Sequence, residues 1–188
     1  MALLTPHRFT VEDYYRMAET GVLSPDARVE LLEGEVIDIE PIGHFHGSTV
    51  TRLNRLFTDS AGRRWTVAVQ NPLRLSRHSE PQPDLMLLRY APGDYWESHP
   101  TAEDVFLLVE VAYTSLDYDR NRKLPVYGKA GVPEVWIVNL EESLLEVYRE
   151  PHFLGYGSKT TFKPEQEVSP AAFADLKIAT ADLLRRAR

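Results

Sequence analysis

Three residues in the middle of the chain have the types and spacing of a hydrolytic site. Asp84 heads the apolar run Pro83-Asp84-Leu85-Met86-Leu87-Leu88, Glu110 lies inside Val105-Phe106-Leu107-Leu108-Val109-Glu110-Val111, and Lys123 follows. Short apolar runs bounded by turn residues read as buried strands. A carboxylate inside such a run costs free energy unless it is paired, hydrogen-bonded or metal-bound. Two carboxylates on neighbouring strands can share a hard cation such as Mg2+, which takes oxygen ligands. A nearby lysine can orient a water or steady negative charge in a transition state. That is the minimal equipment for metal-assisted phosphodiester hydrolysis. Each residue also has a plainer role open to it. Asp84 can start a strand or close a turn, Glu110 can be a core carboxylate paired with a cation, and Lys123 can be a helix-surface charge.

The elements that must position these residues are legible from pattern. Thr10-Val11-Glu12-Asp13 is a helix start with Thr10 as N-cap, and Gly21 marks its end. Residues 28–32 and 35–39 read as strands joined at Glu33-Gly34, a hairpin signal. Residues 44–59 read as a helix, with Val50, Leu53, Leu56 and Phe57 on one face and Gly62 beyond its end. Residues 65–69 alternate like a strand before Asn71-Pro72 breaks it, and the strands carrying Asp84 and Glu110 follow. Asp117 or Asp119 caps a helix running to about Ala130, where Gly131 stops it; Pro125 inside it must kink the helix or delay its start. Strands over 134–139 and 144–148 come next, then a hairpin within 153–162, a short strand at 176–178 and a last helix from Thr180. Helices set among strands give an α/β (α+β) class with a central mixed sheet.

Composition bounds the function. A chain of 188 residues with 43% hydrophobic content fits one globular domain over residues 1–188. No apolar run approaches the length of a membrane span, and the start Met1-Ala2-Leu3-Leu4-Thr5-Pro6-His7-Arg8 lacks the pattern of a signal peptide, so a cytoplasmic protein with no membrane partner is expected. With no Cys, disulfides and thiolate metal sites are excluded. The net charge of −7 speaks against a general nucleic-acid coat protein but not against a nuclease, whose acids gather around a metal while Arg52, Arg55, Arg63, Arg64, Arg74, Arg77, Arg120 and Arg122 line a groove or simply face solvent. His44 and His46 do not form the His-Glu-x-x-His pattern of a helical zinc site and read as loop or helix-start residues. Tyr127 and Trp136 read as core packing.

A resemblance covers most of the chain. The segment Glu110-Val111-Ala112, Ser115-Leu116, Tyr118-Asp119-Arg120, Lys123-Leu124-Pro125, Tyr127 and Ala130-Gly131-Val132-Pro133-Glu134-Val135-Trp136-Ile137-Val138 resembles the signature stretch of the Uma-type endonuclease family, within the PD-(D/E)XK restriction-endonuclease-like superfamily. Val29-Glu30-Leu31-Leu32-Glu33-Gly34-Glu35-Val36 resembles its N-terminal hairpin, and Gln70-Asn71-Pro72 with Glu80-Pro81-Gln82-Pro83-Asp84 resembles its approach to the Pro-Asp motif. The resemblance implies a restriction-endonuclease-like core, a mixed sheet flanked by helices, and a metal-dependent endonuclease acting on DNA with Mg2+ or Mn2+. It implies Asp84 and Glu110 as metal ligands, the Val111 carbonyl as a third, and Glu30 and Gln70 as further active-site polar groups. Glu30 could equally pair across its hairpin, and Gln70 could equally cap backbone. One departure stands out: the basic residue two positions after the acid is replaced by Ala112, and the following helix offers Lys123 instead. A catalytically inactive nucleic-acid-binding or assembly protein on the same fold is the competing expectation, and a metal-dependent hydrolase of another substrate is a third. A duplex cutter of this size needs two sites, so a homodimer is expected, with the strand at 144–148 and the hairpin after it as interface elements.

Overall fold

The computed structural model describes residues 5–184; the first four residues, on which part of the N-terminal reading rests, and the last four lie outside the described residues. Helix α1 (Val11–Glu19) opens on a capping box, in which the Thr10 hydroxyl accepts from the Asp13 N–H and Asp13 accepts from the Thr10 N–H. Strands β1 (Val29–Leu32) and β2 (Glu35–Asp38) pair antiparallel across Glu33-Gly34, with φ of 50° and 79° at the two turn residues. Positive φ at both positions gives the turn the twist a two-residue hairpin requires.

Helix α2 (His44–Ala61) then leads into the main sheet. Its strands are β3 (Trp65–Val69), β4 (Leu85–Arg89), β5 (Val105–Ala112), β6 (Glu134–Asn139), β7 (Leu144–His152) and β8 (Gly155–Phe162), ordered in space as in sequence. Neighbours run antiparallel except β5 and β6, which are parallel. That pair needs a crossover, supplied by α3 (Leu116–Tyr118), a π-helical turn (Asp119–Lys123) and α4 (Leu124–Ala130). Two short strands, β9 (Glu167–Val168) and β10 (Ile178–Ala179), pair with each other, and α5 (Thr180–Leu184) ends the described chain. The result is the mixed α/β arrangement expected, a six-stranded mixed sheet flanked by helices. No helix among the described residues is long and apolar enough to cross a membrane.

Side-chain alternation assigns each strand residue to one of two cores. Leu85, Leu87, Leu107, Val109, Val111, Trp136 and Val138 pack with Val50, Leu53 and Phe57 of α2 and with Leu183 of α5. Met86, Leu88, Leu108, Ala112, Val135 and Ile137 pack with Leu124 and Tyr127 of α4. Because helices cover both faces, β4 and β5 read as unbroken apolar runs. Period two also places Asp84 and Glu110 on the second face, under α4.

The crossover differs from its sequence reading. Ser115, not Asp117 or Asp119, is the N-cap residue, and Asp119 sits buried within the helix, where its Oδ2 accepts from the Ser115 hydroxyl at 2.7 Å. The regular α-helix α4 starts only at Leu124, with Pro125 in its first turn, which is the delayed start the sequence offered. The helix widens into the π turn just upstream, with the Leu124 N–H bonding the Asp119 carbonyl. A proline has no N–H to give and its ring crowds the carbonyl four residues back, and a π turn absorbs that mismatch without ending the helix. Strand β7 also runs further than expected, to His152, as part of the main sheet.

Glu146 on β7 anchors this crossover. It accepts from Nε and Nη2 of Arg120 in the π turn, from Lys159 Nζ at 2.8 Å and from the Tyr148 hydroxyl at 2.6 Å. Burial alone would raise its carboxyl, but these donors outweigh burial and pull it down to about 2. The folded state therefore holds this proton more weakly than the unfolded chain does. The stabilisation is complete above the ordinary Glu value and drains away as pH falls toward 2. With Lys159 half exposed and screened, we expect on the order of 1–3 kcal/mol. Chemical denaturation between pH 6 and about 3 should show a smaller loss of stability in Glu146→Gln than in the parent; equal losses would mean that Glu146 is not an acid-labile anchor.

At the far end of the crossover, α4 lies against the turn between β7 and β8. A Cβ at Gly128 would sit 2.0 Å from the Gly155 carbonyl oxygen, so only glycine permits this approach.

Candidate active site

Asp84 precedes β4 by one residue and Glu110 lies on the adjacent antiparallel strand, where Leu85 pairs with Val109. The two acids are thus neighbours, and the backbone ties them directly. The Asp84 N–H donates to Glu110 Oε2 at 3.2 Å, and the Val111 N–H donates to Asp84 Oδ2 at 2.8 Å. His46, in the first turn of α2, places Nε2 2.9 Å from the same Oδ2. Gln70, just past β3, takes φ of 52°, and its Nε2 stands 3.4 Å from Asp84 Oδ1.

Glu110 Oε1 receives two donors from the crossover helix. Lys123 Nζ lies 2.8 Å away and the Tyr127 hydroxyl 2.5 Å away. Residues four apart share a helix face, so one face of α4 and its π turn supplies both. Lys123 Nζ also stands 3.6 Å from Glu30 Oε2. Glu30 comes from β1, outside the main sheet; it accepts from the Tyr118 hydroxyl at 2.7 Å and the Gln82 N–H at 2.9 Å. The hairpin is thereby fastened over the end of β4 by an acid of the site itself.

The cluster is short of positive charge. Glu30, Asp84, Glu110 and Asp119 are all buried, and so is Lys123. Burial pushes the Glu110 carboxyl above its usual range; Lys123 opposes this, while Asp119 and Asp84 push the same way as burial. Burial likewise raises Asp119. For Lys123, burial favours the neutral amine, but Glu110, Glu30, Tyr127 and Asp119 overcome it and raise the ammonium well above its usual range. Two donors on one Glu110 oxygen fit an ionised carboxylate beside a cationic lysine. Tyr127 is raised well above the usual phenol, first by burial and then by Glu110, so its hydroxyl stays a donor.

The donor set suits a hard cation. Asp84 Oδ1 and Glu110 Oε2 have only long contacts, 3.4 and 3.2 Å, from Gln70 and from the Asp84 N–H, leaving both oxygens acceptor capacity. An added positive charge would offset the carboxylate excess. Among the described residues no three His, Asp or Glu side chains form a self-sufficient ligand shell. That is compatible with Mg2+, which keeps several waters and takes one or two carboxylates.

All five side chains expected at the site, Asp84, Glu110, Lys123, Glu30 and Gln70, converge on it, and His46 joins them. Val111 contacts Asp84 through its N–H. Tyr127 is buried as expected of core packing, yet its hydroxyl is spent on Glu110; its position four residues after Lys123 was the signal for this. Tyr118 carried no comparable signal, because its partner Glu30 comes from a hairpin distant in sequence. Of the arginines considered for a groove, Arg52 bonds carbonyls of α5, while Arg64, Arg74, Arg120 and Arg122 are paired with Asp175, Glu80, Glu146 and Glu35.

The chain matches known proteins over nearly its whole length. The family model for Uma2, described as "Putative restriction endonuclease", matches residues 11–181. A crystal structure from Anabaena variabilis, described as "a putative nuclease belonging to DUF820", superposes with a TM-score of 0.72 at 16% identity, covering 94% of this chain and 97% of that one. At that identity the likeness is one of fold. No curated protein matches. With a family model spanning the hairpin, the sheet and the crossover that together build the acid cluster, the chain belongs to the Uma2 family of restriction-endonuclease-like proteins.

Proposed function

We propose that this protein is a Mg2+- or Mn2+-dependent endonuclease that hydrolyses phosphodiester bonds of DNA. The observation that carries the reading is the meeting of Asp84 and Glu110 on one sheet face, with Lys123 Nζ 2.8 Å from Glu110. In this reading Asp84, Glu110 and the Val111 carbonyl hold the ion. When bound, the ion supplies Lewis-acid polarisation of a phosphoryl oxygen and eases deprotonation of water. Lys123, cationic throughout the physiological range, acts as a fixed charge where negative charge develops on the phosphorus centre, not as a base. Tyr127 and Glu30 hold Lys123 and Glu110 in register. His46 and Gln70 orient the Asp84 carboxylate.

In this reading Lys123 supplies the charge that Ala112 does not. Ala112 lies on the same face as Glu110, in one buried cluster with Leu124 and Tyr127 of the crossover that carries Lys123.

The deciding experiment offers supercoiled, linear and single-stranded DNA to the protein with Mg2+ or Mn2+. Cleavage is expected in the parent and absent in Asp84→Ala. Metal and DNA binding without any cleavage would instead assign an inactive binding protein on this fold. We further propose a homodimer. Strand β8 is an outer edge of the sheet, and the hairpin tip beside it exposes Phe153 and Leu154. Light scattering at micromolar concentration that finds only a 21.5 kDa monomer would remove the dimer and leave nicking or single-strand cutting.

A further inference from the structure

Beside the acid cluster lies a cavity of about 1090 Å3, over the ends of the parallel strands β5 and β6 and between α2 and the crossover. Crevices at the carboxyl ends of parallel strands are the usual ligand sites of open sheets. Its walls are the segments that carry the candidate site: Phe45 precedes His46, Tyr113 lies three residues beyond Glu110, and Asp117 precedes Tyr118.

Two features of the lining define what would fill it. Phe45 and Tyr113 are 40% and 46% exposed, with ring centroids 5.6 Å apart, and His44 lies against Phe45 at 4.0 Å. Large aromatic rings left uncovered beside a polar site are stacking surfaces for flat partners. The charged lining does not favour a phosphate. Asp117, whose Oδ1 accepts from Asn121 Nδ2 at 2.6 Å and whose Oδ2 keeps acceptor capacity, and Glu141 are acidic, and Arg120 is already bound to Glu146. These carboxylates would repel a phosphate, whereas a nucleobase is neutral and carries amino donors that carboxylates accept. The first turn of α2 has no acid and no side-chain cap, so the helix itself presents nothing negative to the phosphate attached to such a base; the nearby Glu40 carboxylate is engaged by the Thr114 hydroxyl at 3.0 Å.

We propose that this cavity takes an unpaired nucleobase of the strand being cut, stacked on Phe45 and Tyr113, and that the substrate is accordingly single-stranded or locally unpaired DNA. The proposal rests on the nuclease reading for the adjacent phosphate, not for the base site itself. A base inside a duplex cannot reach such a cavity without leaving its stack, and aromatic platforms bind single strands with little regard to sequence.

The test is binding of a short single-stranded oligonucleotide carrying 2-aminopurine, and of the same sequence as a duplex, with Ca2+ as the hard cation. The parent should quench the probe and bind the single strand more tightly than the duplex. The Phe45→Ala/Tyr113→Ala double variant should lose the quenching and at least about 5-fold of single-strand affinity. Both positions are exposed, so its melting temperature should match the parent's, and Tyr113→Phe should restore stacking. Absence of quenching by the parent, equal binding of duplex and single strand, or unchanged affinity in the double variant would each overturn the proposal. Cleavage that needs Asp84 but ignores both rings removes the base site and keeps the nuclease. Ring-dependent quenching without cleavage removes the nuclease and keeps the base site.

Discussion

Asp84→Asn and Asp84→Ala should both reduce DNA cleavage to background, and both should lose stabilisation by Mn2+. Thermal unfolding separates this from a folding defect. An ion held by the folded state alone stabilises it by RT ln(1 + [L]/Kd), about 2.7 kcal/mol at a hundred times Kd. For a chain of this size that is a rise of about 5–10 °C in the parent. Asp84 also accepts the Val111 N–H. Removing that acceptor costs about 1–3 kcal/mol for the buried donor left behind, so Asp84→Ala should be less stable than the parent without metal. The Asn amide keeps an oxygen for Val111 and loses the charge and the weak 3.4 Å contact from Gln70, whose amide can turn its own oxygen to the new NH2. Asp84→Asn should therefore melt close to the parent in chelator yet show no rise with Mn2+. A full Mn2+-induced rise in both variants would place the ion elsewhere.

Lys123 should show the second large effect, in activity and stability together. Its ammonium is the buried cation facing Glu110 and Glu30 at 2.8 and 3.6 Å. Deleting one partner of a buried ion pair leaves an uncompensated charge and costs roughly 3–5 kcal/mol. Lys123→Ala should consequently lower the melting temperature as well as abolish turnover, so its inactivity alone would be ambiguous. Double variants resolve this. Lys123→Met with Glu30→Gln removes a charge of each sign and should recover part of the stability while remaining inactive, because the positive charge at the phosphorus centre is still missing. Lys123→Arg keeps the charge, but a wide planar guanidinium does not reproduce a point donor in a closed space, and it should be poorly active. Normal turnover in Lys123→Ala or Lys123→Arg would move the catalytic role to another residue, with Gln70 and His46 the next candidates.

Much of this protein was already written in local pattern. The α1 cap at Thr10, the Glu33-Gly34 hairpin, the amphipathic face of α2 and the apolar strands β4 and β5 follow from short-range rules of capping, turn chemistry and side-chain period. The same patterns made Asp84 and Glu110 conspicuous, because an acid in a run covered on both faces needs a reason to be there. Motif resemblance extended this to Glu30 and Gln70. What the chain order left open was every relation between elements distant in sequence. That Glu30 of a separate hairpin reaches Lys123, that His46 from the helix on the opposite core turns back onto Asp84, and that Tyr118 and Tyr127 both donate into the cluster are matters of how layers stack, which no local period encodes. The π turn is the clearest case. Pro125 announced a disturbance in the helix, but its resolution, a widened turn that buries Asp119 and swings Lys123 onto Glu110, depended on Glu146 holding Arg120 from a strand beyond the crossover. Sequence alone determined which residues were too costly to bury unpaired; the tertiary packing decided their partners, because buried charges settle against whichever oppositely charged or donating groups the stacked elements bring within reach.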